Sequence, residues 1–140
     1  MINDIKEWLN RGKCLDNELK ELKETAQKAF EDATNTASNI CDERVQTSIA
    51  NNTEKKFILA AHYEAEIVKK IEELYDVKLE ILGAIHKLDS CTYRALLLAR
   101  YINFKTWEQI AEDMGYEVRQ IHRIHGNALV NLKDVIECHY

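Results

Sequence analysis

Four side chains near the end of the sequence, Arg119, Gln120, His122 and Arg123, are of types that read a nucleic-acid duplex. Arginine carries a planar fork of donors that matches O6 and N7 of guanine, and glutamine can pair with adenine through two hydrogen bonds. An imidazole can donate to a base or to a phosphate. Val118, beside them, can touch a thymine methyl group. Upstream stand Lys105, a phosphate candidate by charge, and Thr106, after which the free N–H groups of a helix start can hold a phosphate.

Other chemistries have no comparable set of residues. There is no G-x-x-x-x-G-K-[ST] loop and no G-x-G-x-x-G turn. His122 and His125 have an i, i+3 spacing, with Cys138 and His139 further on, but no compact ligand set closes around them. The expectation is a binding protein without catalytic residues, metal or cofactor.

For the four polar residues to act together they must share one face of a helix. From Glu117 onward, Val118, Ile121, Ile124 or His125, Ala128, Leu129 and Leu132 recur at helical spacing and must face inward. Arg119, Gln120, His122 and Arg123 fall between them and point out. Thr106-Trp107-Glu108-Gln109 has the form of a capping box that opens a short helix, and Gly115 supplies a left-handed residue to close it. A short capped helix, a glycine turn and a longer helix are the sequence form of a helix-turn-helix. An earlier helix, capped by Asp89 or Ser90, carries Tyr93, Leu96, Leu97, Tyr101 and Ile102 and is broken at Asn103-Phe104-Lys105. Gly126, inside the last helix, suggests close packing or close approach to a neighbouring backbone.

The front of the chain reads differently. Ile5, Trp8, Gly12, Leu15, Leu19, Leu22, Ala26, Ala29 and Ala33 alternate steps of three and four, a heptad seam. Phe57, Ala60, Glu64, Ile67, Ile71, Leu74, Lys78, Ile81, Ile85 and Leu88 form a second seam. Two such helices hide their stripes most economically against each other, as a long antiparallel, coiled-coil-like hairpin. A polar stretch at about 34–56 separates them, expected as frayed helix or disorder. The expected organisation is all-α, with a helical hairpin over 1–88 and a helix-turn-helix domain over 89–140.

The chain has 140 residues, no Pro, four Gly and a formal net charge of −5. A chain so poor in helix breakers should be almost wholly helical. Residues 89–140 carry six Lys/Arg and seven Asp/Glu, so any phosphate binding must come from local arrangement. No apolar run is long enough to span a membrane, and Asp4, Lys6 and Glu7 stand where a signal peptide would need an apolar stretch, so none is expected. Cys14, Cys41, Cys91 and Cys138 are widely separated, which with the missing export signal suggests a cytoplasmic protein.

The stretch from Tyr101 to Tyr116, with Thr106-Trp107-Glu108-Gln109-Ile110-Ala111 and Met114-Gly115-Tyr116, resembles phage and prophage proteins related to region 4 of sigma-70-type factors. The following Arg119-Gln120-Ile121-His122-Arg123-Ile124-His125-Gly126-Asn127-Ala128-Leu129 is similar to the same family's signature, found among ArpU-type late regulators. The resemblance implies transcription regulation through promoter DNA, with Val118, Arg119, His122 and Arg123 at the outward positions of a recognition helix. It also implies RNA polymerase as a partner, and the hairpin would serve polymerase contact or homodimerisation. Where sigma factors place Ser or Thr at the start of that helix this chain has Glu117, and Val118 and His122 stand at positions often basic there. Two rival readings remain: a DNA-packaging recognition subunit, and an interaction module that docks on polymerase without binding DNA.

Overall fold

A computed structural model describes the backbone of residues 2–38 and 46–139, and the side chains of 3–35 and 52–138. Every regular element among the described residues is helical: α1 (Ile2–Ser38), α2 (Gln46–His86), α3 (Cys91–Leu97), a π-helical turn (Leu98–Ile102), α4 (Trp107–Met114) and α5 (Val118–His139). The polar stretch expected at 34–56 is helical up to Ser38 and again from Gln46, and residues 39–45 lie outside the described residues. Packing divides the chain into two compact units, Leu15–Glu73 and a second made of Met1–Cys14 with Leu74–Tyr140. The sequence pattern placed its boundary between residues 88 and 89, whereas packing groups the outer ends of both long helices with the C-terminal helices.

In the unit Leu15–Glu73, α1 turns Leu19, Ala26 and Ala33 inward at heptad intervals, and α2 turns in Thr53 and Ala60. Glu18 pairs with Lys70 at 3.2 Å and Asp32 with Lys56 at 3.3 Å. Fourteen residues forward along α1 therefore match fourteen residues back along α2, so the pair is antiparallel. Exposed pairs of this kind contribute no more than about 1 kcal/mol each, so they specify register more than stability.

The other unit is built on two cores. Ile5 and Leu9 of α1, Ile81 and Ile85 of α2, and Leu88 meet Leu97, Tyr101, Ala128, Leu129 and Leu132 in the larger one. Leu9 is wholly buried although it lies beside the expected seam rather than on it. The smaller core joins Leu96, Ile110, Ala111 and Ile121, with Ala99, Trp107, Met114, Val118 and Ile124 packed around it. Leu96 and Leu97 are adjacent on α3 and so point about 100° apart, one into each core. α3 is thus a wedge between the cores, and each fully buried Leu or Ile contributes about 1.5–3 kcal/mol of burial.

The two tight connections follow their sequence signals. Ser90 caps α3, its hydroxyl accepting from the Tyr93 N–H. Gly115 ends α4 with φ 73°, a left-handed conformation that costs other L-residues about 1 kcal/mol or more. Gly126 corrects the expectation of close packing: a Cβ built there meets nothing within 4 Å.

Candidate nucleic-acid interface

The site is positioned by the join between α4 and α5. The Thr106 hydroxyl accepts from the Gln109 N–H at 3.2 Å, and the Gln109 side-chain oxygen accepts from the Thr106 N–H at 3.0 Å. This reciprocal pair satisfies two donors that a helix start leaves open, and the Thr106 hydroxyl is engaged in it. At the far end of α4, the N–H groups of Gly115 and Tyr116 return to the carbonyls of Glu112 and Ala111. Ile110, Ala111 and Ile121 then lock α4 onto the first turns of α5.

Arg119, Gln120 and Arg123 are exposed and, with Glu117, line an open depression of about 600 Å³. Among the described residues, no carboxylate pairs with Arg119 or Arg123. Val118 is half-buried and packs on the smaller core, so it belongs to the α4–α5 seam rather than to the outward face. Lys105 is half-buried, its ammonium 2.9 Å from an Asp113 carboxylate oxygen, an ion pair invisible to local spacing. His122 is exposed at the edge of the outward face, but its ring lies 4.7 Å from that of Trp107.

Trp107 organises a group of residues that the sequence patterns did not bring together. Its indole carries the Arg100 guanidinium at 4.2 Å and meets the His125 ring edge-on at 4.7 Å, in addition to His122. Arg100 also donates to the Lys105 carbonyl at 3.0 Å. Behind this group, the Tyr101 hydroxyl and His125 Nε2 are 2.6 Å apart in the interior. Burial lowers the His125 pKa to about 4, with Lys6, Arg100 and His122 adding positive charge nearby. Burial likewise raises the Tyr101 hydroxyl to about 12, against a smaller opposing effect of Arg100. Both groups are therefore neutral near pH 7, and a neutral imidazole can accept from the phenol.

The π-helical turn makes this arrangement. The N–H of Asn103 reaches back to Leu98, and that of Lys105 to Ala99, both at 3.0 Å. The wider turn re-aims the side chains along it and after it. Tyr101 turns into the larger core, while Arg100 and Phe104 stay half-buried. Phe104, two residues beyond the turn, has φ 56°, an uncommon conformation outside glycine.

Charge is divided unevenly between the two units. Leu15–Glu73 holds eight Lys/Arg against thirteen Asp/Glu, while Met1–Cys14 with Leu74–Tyr140 holds eleven of each. The entire net charge of −5 thus resides in the former, and the unit that carries Arg119 and Arg123 is neutral.

No protein-family model, curated protein or solved structure matches this chain.

Proposed function

We propose that the protein is a phage or prophage transcription regulator that binds promoter DNA through a helix-turn-helix formed by α4 and α5. The observation that carries the reading is the exposure of Arg119, Gln120 and Arg123 side by side on the opening turns of α5, with no carboxylate among the described residues paired to either arginine. In a helix-turn-helix those turns enter the major groove while the preceding helix crosses the backbone. The capping box and the left-handed Gly115 define the two ends of α4, and the small apolar core packs it against α5. A rigid platform is what base readout needs, since a misplaced guanidinium loses its paired hydrogen bonds. The sigma region-4-like stretch from Tyr101 to Leu129 supports the same assignment and suggests polymerase as a further partner.

In this reading Arg119, Gln120 and Arg123 read bases, and His122 works from its seat on Trp107. Selection from a randomised duplex library, followed by binding of Arg119→Ala and Arg123→Ala, tests it. Each variant should lose about 1–3 kcal/mol on the selected site and relax its preference there. Equal affinity with unchanged preference in both would overturn the assignment. The long helices are assigned to self-association, because Ile58, Leu59 and Val68 of α2 remain exposed.

A second reading is favoured by one observation: Glu117 shares the depression with both arginines and would repel phosphate. A module that docks on polymerase without DNA would tolerate that carboxylate. Absence of binding to any duplex at low salt would decide for it.

A further inference from the structure

Two ammonium groups from separate helices lie over the ring of Phe104, and a third cation, Arg100, lines a concavity beside it. The ammonium groups of Lys13 (α1) and Lys78 (α2) lie 5.2 and 5.1 Å from the centre of its ring. Arg100, Lys13, Asn10 and Phe104 line a concavity of about 30 Å³, space for about one water or one phosphoryl oxygen. Among the described residues, no carboxylate is paired with Lys13, Lys78 or Arg100. Elsewhere the exposed lysines are commonly matched, as Lys20 is with Asp16 and Lys28 with Glu24. An aromatic ring offers an ammonium group a partly negative surface but does not neutralise it. The left-handed backbone at Phe104 places the ring there, and backbone strain of this kind tends to mark functional positions. Arg100 then continues through Trp107 to His122, so the cluster joins the arginine-bearing face of α5 within one unit.

We propose that Lys13, Lys78 and Arg100, gathered around Phe104, form a second nucleic-acid contact that holds a phosphate of the duplex backbone. This rests on the reading of α5 as the base-reading helix and extends the footprint to the long helices. The ligand chemistry is a phosphoryl oxygen: the Asn10 amide and the unused N–H groups of Arg100 can donate to it, and the two lysines supply charge. Such a contact fixes position on the duplex and carries no sequence information. It also gives an acidic chain a local basic surface, which its overall charge does not provide.

The test is the salt dependence of binding by the full chain to its selected duplex and to a scrambled duplex. The double variant Lys13→Gln, Lys78→Gln should weaken both to about the same extent and lower the slope of log affinity against log salt by about 2. The charge-preserving Lys13→Arg, Lys78→Arg should keep the slope. Thermal melting followed by circular dichroism checks that the variants fold, and if the double variant does not, Lys13→Gln alone should lower the slope by about 1. An unchanged slope in the glutamine variant, with Arg119→Ala still altering preference, would overturn the contact and leave the α5 reading standing. Failure of the unaltered protein to bind any duplex would overturn both.

Discussion

His125 couples its proton to folding. It is buried, with a folded-state pKa of about 4 against 6.5 for a solvated histidine. Between these values the unfolded chain holds the extra proton, so lowering the pH favours unfolding. Stability should therefore fall as pH drops from about 6.5 towards 4, by at most about 1.4 kcal/mol per pH unit from this group, and this group adds no slope above that window. Urea unfolding across that range should show a shallower dependence in His125→Gln, and an identical dependence would contradict the assignment. At the same scale, Tyr101→Phe removes the partner of Nε2 and should cost about 1–3 kcal/mol. The inward position of His125 was legible from helical spacing, and so were the outward positions of Arg119, Gln120 and Arg123. Its link to Tyr101 was not, because the two residues lie 24 positions apart and meet only through tertiary packing. Nor was the engagement of Lys105 by Asp113, since the ion pair spans α4 from the residue before its cap.

The elements were legible wherever a local rule determines them. Thr106 with Gln109, Ser90 and Gly115 each mark a helix end through a bond or a backbone conformation that few residue types supply. Thr106→Ala should cost about 1 kcal/mol, read as a shift in the urea midpoint, and it should loosen α4 before the rest of the unit. Glycines of unlike backbone separate in a second experiment. Gly115→Ala places a side chain at φ 73° and should destabilise by about 1 kcal/mol or more. Gly126→Ala meets open space in a helix interior and should stabilise by about 0.5–1 kcal/mol. The π-helical turn left no such mark. Leu98–Ile102 reads as ordinary helix, and only its packing, with Leu97 and Tyr101 both in the larger core, accompanies the wider turn. With it went the placement of Arg100 and Phe104.

Over the whole molecule, the heptad spacing announced the long helix pair, and the ion pairs give it an antiparallel register within Leu15–Glu73. The division of the chain was harder to see. Ile5, Ile81 and Ile85 look like further members of the long seams, yet they pack with α5 in one core. Regrouping the residues by packing also relocates the charge, so the net −5 does not fall on the unit with the arginine face. Light scattering addresses the function at this scale. A dimer is expected for a regulator associating through its long helices, whereas a large ring would favour a packaging subunit.

The central claim is that arginines on the opening turns of α5 contact base edges, and binding to a selected duplex in which single guanines are replaced by 7-deazaguanine tests it most directly. Removing the N7 acceptor at the contacted guanine should weaken the unaltered protein by about 1–3 kcal/mol, and should leave the affinity of the matching Arg119→Ala or Arg123→Ala variant unchanged. Equal losses in protein and variants, or no loss at any guanine, would contradict the account.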